Sequence, residues 1–98
     1  MAKFEWDSKK AEENRKKHRV TFEEAITAFD DPHALIAPDE KYSSPEETRE
    51  WLIGEATPGV LVIVFTLRES KTKLRIISAR KANRKERKLY EEAKRIPF

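Results

Sequence analysis

Val60–Leu67 reads Val-Leu-Val-Ile-Val-Phe-Thr-Leu, apolar at odd and even positions alike. A strand with one wet face alternates, whereas one buried on both faces does not. This segment is therefore a central strand, covered on one side and at least partly on the other. Its neighbours follow from short connections. Thr57-Pro58-Gly59 is a turn leading back into Arg49–Ala56, and Glu69-Ser70-Lys71 is a turn leading on into Lys73–Ala79. Links this short join antiparallel strands. A weaker strand, Ala34–Ala37, ends at Pro38 and is separated from the others by the polar stretch 39–47. Lys3-Phe4-Glu5-Trp6 alternates and reads as one more short strand.

Helices occupy the remaining segments. Asp7 or Ser8 caps a helix through Lys9–His18. Thr21-Phe22-Glu23-Glu24 is a capping box, opening a helix that buries Phe22, Ala25, Ile26 and Phe29 and stops at Asp30-Asp31-Pro32. A last helix starts near Asn83, with Glu86 completing a second capping box, and its apolar stripe is Leu89, Tyr90, Ala93 and Ile96. The expected fold is α+β: one domain spanning 1–98, an antiparallel meander with two N-terminal helices and one C-terminal helix packed on it.

Charge is unevenly spread. Residues 1–20 hold seven Lys or Arg against four Asp or Glu, residues 21–67 two against ten, and residues 68–98 twelve against four. A cationic C-terminal third in so small a chain points to a polyanionic partner; a merely solvated helix face is the alternative. The chain has no cysteine, which excludes a disulfide framework, a thiolate zinc site and a cysteine nucleophile. The longest apolar run falls far short of the roughly 20 residues that span a bilayer. Met1–Trp6 is charged and lacks the apolar stretch of a secretory signal. A cytoplasmic protein with no membrane contact and no cofactor is expected.

Several segments together resemble the BrnT toxin family. They are Phe4-Glu5-Trp6-Asp7, Lys16-Lys17-His18, Val20–Ala25, Phe29-Asp30-Asp31-Pro32, Ile76–Arg87 and Tyr90-Glu91. Ser78-Ala79-Arg80-Lys81-Ala82 ahead of Arg84-Lys85-Glu86-Arg87 is the most specific part. The resemblance implies a fold similar to RelE-type ribonucleases and RNA cleavage that arrests translation and growth. It also implies a cognate ribbon-helix-helix antitoxin, whose complex with the toxin binds operator DNA. Two positions depart from the family pattern. Arg19 stands where a glycine commonly follows Lys-His, a left-handed cap that costs a non-glycine residue roughly 1 kcal/mol. Arg15 stands where an apolar residue is usual.

Metal-independent RNA cleavage needs a base for the 2′-hydroxyl, an acid for the 5′-oxygen and cations for the phosphorane. There are only two histidines and no carboxylate cluster with metal-ligand spacing. Arg80, ending a strand, is the leading candidate, with Lys81, Arg84 and Arg87 beside it and Lys17 near His18 as RNA-binding cations. Arg80→Ala is expected to remove activity at little structural cost. His18 is either a helix C-cap or, as the resemblance suggests, catalytic. Arg68 is a surface charge near a turn or a functional residue; it lies about 25 Å from Arg80 along the hairpin and cannot share its phosphate. Tyr90 is a core residue whose hydroxyl can also reach the basic site, as a C-terminal tyrosine does in related RelE-type toxins. His33 reads as a loop residue, and Trp6 and Trp51 as core aromatics or base-stacking platforms. A non-catalytic module that binds nucleic acid or antitoxin is the competing reading, since it needs the same cationic face.

Overall fold

The computed structural model describes residues 3–41, 43–68 and 72–95. The chain runs β1 (Lys3–Glu5), α1 (Ser8–His18), α2 (Phe22–Ala25), a 3₁₀ turn (Ile26–Asp30), β2 (Leu35–Pro38), β3 (Arg49–Ala56), β4 (Gly59–Arg68), β5 (Lys73–Lys81) and α3 (Arg84–Lys94). The strands form one sheet in the order β1-β5-β4-β3-β2, so the doubly apolar segment lies at its centre. The fold is α+β, as the patterning predicts. β2 through β5 make the antiparallel meander, but β1 joins the far edge parallel to β5, pairing Phe4 with Leu74. Alternation alone says nothing about which edge a three-residue strand will choose. The second helix is also shorter than expected, passing into the tighter 3₁₀ turn after one turn of α-helix. The turn at 69–71 and Ile96 lie outside the described residues.

The two sheet faces bury different things. On one, Leu52, Leu61, Ile63, Phe65, Ile76 and Ala79 meet Val20, Phe22 and Ala25 beneath α1 and α2. Edge-on aromatic contacts tie this core together: Trp6 on Phe22, and Phe29 between Phe4 and Phe65. Each fully buried side chain of this size stabilises by about 1.5–3 kcal/mol, so this layer carries most of the fold. Gly54 lets the 3₁₀ turn approach, since a Cβ there would stand 3.2 Å from the Ala28 carbonyl oxygen and 3.1 Å from the Ala34 Cβ. The opposite face is covered at one end only, where Tyr90 of α3 packs on Ile53, Val62 and Ala82.

The helix ends show why they stop where they do. The Asp7 carboxylate accepts from the Lys9 and Lys10 N–H groups, which makes Asp7 the cap of α1. Arg19 ends that helix in the left-handed region at φ 61°, its N–H donating to the Arg15 carbonyl. Both capping boxes form, Thr21 with Glu24 and Asn83 with Glu86. α1 is held to the sheet by a buried amide. Asn14 Nδ2 donates to the Ala79 carbonyl at 2.8 Å and the Val20 carbonyl at 3.0 Å, and Asn14 Oδ1 accepts from the Ala79 N–H at 3.1 Å. Because β1 pairs with β5 only as far as Arg75, the Asn14 side chain supplies the bonds a longer edge strand would give.

Candidate functional site

A bulge in β5 aims the site. Val64 pairs with Ser78 and Phe65 with Ile76, which leaves Ile77 as the extra residue. An extra residue shifts the alternation of everything beyond it. Ala79 thereby joins the core under α1, and Arg80 projects from the α3 face, opposite Val62 and in line with Ile53. In an unbulged strand, Arg80 would point into the other core.

Arg80 is held in place by Glu86. Its Nη1 and Nη2 donate to the two Glu86 carboxylate oxygens at 2.7 and 2.8 Å, and Glu86 also accepts from the Asn83 N–H. The guanidinium holds the Glu86 carboxyl below the usual carboxylate range against the opposing effect of burial, and the pair raises the Arg80 pKa in turn. This is an end-on fork. It leaves the Nε edge of Arg80 without an acceptor among the described residues, the side-on edge that matches a phosphate. Sequence reading gave Glu86 a capping role alone; the structure gives the same carboxylate two jobs. The expectation that Arg80 is structurally idle is therefore corrected, since removing it frees a carboxylate at the start of α3.

His18 belongs to the same neighbourhood. Burial lowers its pKa first, followed by the nearby charges of Lys17 and Arg80, all of which favour the neutral imidazole. His18, at the C-terminus of α1, thus stands within electrostatic reach of Lys17 and of Arg80 at the end of β5, and Lys81 stands within such reach of Glu24, whose pKa it helps to lower. Lys17, Lys81, Arg84 and Arg87 are exposed, the last two on the first turns of α3.

Other candidates stand apart. Arg68 pairs with Lys73 in the ladder, six positions along β4 from Val62, which is roughly 20 Å. It shares Glu47 with Arg49, at 3.6 and 2.9 Å respectively. The Tyr90 hydroxyl does not point into the basic junction. It donates to Asp31 at 2.5 Å, and burial followed by that bond raises its pKa. Burial pushes the Asp31 carboxyl up, but bonds from the Glu55 N–H, Tyr90 and the His33 N–H outweigh it and leave the pKa lowered. His33 sits in the turn after Pro32, and its Nδ1 is buried without a partner among the described residues.

Between Arg80 and Arg49 lies a groove of about 570 Å³ on the incompletely covered sheet face. Its walls include Trp51, Val62, Val64 and Ile77; Arg80 and Glu86 stand on its rim, with Arg49 and Asp39. The bulge contributes here too, because it turns Ile77 and Ser78 toward the same side. The consecutive Ile76-Ile77 was the one sequence hint of it.

The family model described as "Ribonuclease toxin, BrnT, of type II toxin-antitoxin system" matches residues 6–86. The matched stretch includes His18, Arg68, Arg80 and Glu86 and stops short of Arg87 and Tyr90. No curated protein matches the chain.

Proposed function

We propose, from the premise that this chain belongs to the BrnT family of ribonuclease toxins of type II toxin–antitoxin systems, that it cuts RNA by attack of the 2′-hydroxyl on the adjacent phosphate, with no metal ion. The observation that carries this reading is the junction of α1 and β5. An arginine whose phosphate-matching edge is free is fixed by Glu86 at the end of β5, and His18 at the end of α1 stands close enough to feel its charge. His18 takes the 2′ proton, a task that requires the unprotonated ring, and as the P–O5′ bond breaks the departing 5′-oxygen takes a proton from water. Arg80 stabilises the phosphorane, held rigid by Glu86 so that little ordering remains to be done on binding. Lys17, Lys81, Arg84 and Arg87 bind the flanking phosphates, and Arg68 serves a more distant part of an extended strand. Among the described residues no three His, Cys, Asp or Glu come together as a metal site requires. No helix among them is long and apolar enough to cross a membrane.

The family implies a cognate antitoxin. In our reading it is a ribbon-helix-helix protein that covers the basic junction in the cytoplasm and carries the pair to operator DNA. The second reading, a module that binds RNA without cutting it, draws on one observation: with Tyr90 tied to Asp31, the junction offers one imidazole and no evident second proton-transfer group.

One experiment separates them. The purified chain is incubated with RNA in EDTA, and the products are examined for 2′,3′-cyclic or 3′-phosphate ends. Cleavage is expected in chelator. Arg80→Lys, which keeps the charge and loses the fork, is expected to cut about 100- to 1000-fold more slowly while remaining folded, since a lost transition-state donor costs about 2.7–4 kcal/mol. Cleavage that appears only with added Mg²⁺ overturns the mechanism. Binding without cleavage favours the second reading.

A further inference from the structure

We propose that the groove beside Arg80 is a nucleobase subsite, in which an unpaired base of the RNA stacks on Trp51 while phosphates of the same strand rest on Arg80 and Arg49. The inference rests on the RNA-cutting reading and names the form of substrate the site accepts: single-stranded RNA.

Position comes first. Trp51 pairs with Val64, one row along the sheet from Ile53, Val62 and Arg80, and on the same face. Arg49 lies two residues before it, also on that face. From Arg80 to Arg49 the span is about 13 Å along the strands and about 10 Å across them, with Trp51 between. An aromatic platform with a guanidinium on either side is the arrangement that tracks a single strand, its bases on π-faces and its backbone on cations.

The two tryptophans are placed differently. Trp6 is edge-on to Phe22 in the core beneath α1. Trp51 is half-buried on the face that α3 covers only at one end, packed against the Tyr90 cluster and lining the groove. The groove volume of about 570 Å³ falls within the range of small-ligand sites, ample for a base and its sugar. Paired bases are stacked within a duplex and offer only their edges, so a flat platform selects an unpaired one.

The free edge of Arg80 favours a phosphate-bearing strand over a peptide segment. Glu86 and Glu47 each hold an arginine of the rim in position, and Arg80 keeps its Nε edge without an acceptor among the described residues. Asp39 lies beside Arg49, its N–H donating to the Arg49 carbonyl, so the phosphate contact is strongest at the Arg80 end of the groove.

The test uses the Trp6→Phe chain, in which Trp51 is the sole indole, because the sequence holds two tryptophans. The probe is a labelled single-stranded 2′-deoxy oligonucleotide, which lacks the attacking hydroxyl and separates binding from cleavage. Saturable quenching of Trp51 emission is expected, parallel to the anisotropy of the probe, with no quenching by duplex. Trp51→Leu is expected to weaken probe binding by about 5- to 100-fold, and Trp51→Phe by less. Unchanged Trp51 emission at saturating probe overturns the proposal, as does undiminished binding by a folded Trp51→Leu chain. Should that variant fail to fold, the emission of the Trp6→Phe chain still decides. Emission that answers only to the antitoxin assigns the groove to the protein partner and overturns the proposal too. Quenching without any RNA cleavage would keep the subsite and sink the ribonuclease mechanism, so the two failures are distinct.

Discussion

Tyr90 and Asp31 hold each other across 59 positions of chain, joining α3 to the end of the 3₁₀ turn. A phenol hydrogen-bonded to a carboxylate and buried beneath a helix releases its proton reluctantly, and this one is aimed at an acid rather than a phosphate. Tyr90→Phe should therefore lower stability by about 1–3 kcal/mol, the cost of losing a hydrogen bond to a charged group, and leave RNA cleavage within two- to three-fold of the parent. Chemical denaturation and a cleavage assay on the same preparation check both halves; a stable variant that no longer cuts would make the hydroxyl catalytic. The sequence made Arg80, His18 and Lys17 legible because cations clustered near a strand end and a helix end are visible as letters. The partners of those residues were not legible. That Glu86 would reach back to Arg80 depends on the direction in which β5 presents its arginine, and a pattern of residue types does not contain that direction.

At the level of elements, what could be read was what local physics determines. The central strand and both capping boxes follow from a few neighbouring side chains each, whereas the left-handed residue after α1 was legible only through the family resemblance. What could not be read was set by distant partners: the parallel docking of β1, the early passage of the second helix into a 3₁₀ turn, and the bulge at Ile77. Asn14 is the clearest case. It sits within a helix rich in charge and reads as one more solvated polar residue, yet it is 7% exposed and bonds both sides of the Ala79 peptide. Asn14→Ala leaves that N–H and C=O without partners at a covered edge. The expected loss is about 2–4 kcal/mol, seen as a lower denaturation midpoint with little change in slope. A loss under 0.5 kcal/mol would mean water serves that edge as well as the amide does.

Taken as a whole, the molecule interlocks charges that the sequence segregates. Arginines of the basic C-terminal third meet carboxylates from elsewhere, Arg75 with Glu5 and Arg68 with Glu47, while Arg84, Lys85, Arg87 and Lys88 stay exposed on α3. Such a face speeds the approach of an acidic or amphipathic antitoxin segment, and screening should slow it. The association rate measured by stopped flow should fall roughly ten-fold or more from low to high salt, with a smaller change in dissociation; a salt-independent rate would place the contact on apolar surface alone. The pairing of β1 with β5 bears on something else, the order of events during synthesis. The first strand and α1 leave the ribosome well before β5, their docking surface, and Asn14 waits 65 residues for Ala79. Contacts so remote in sequence close late, after the loop between them has been ordered. His18 and Arg80 therefore meet only in a nearly finished chain, and a nascent fragment carries the histidine with nothing to set beside it.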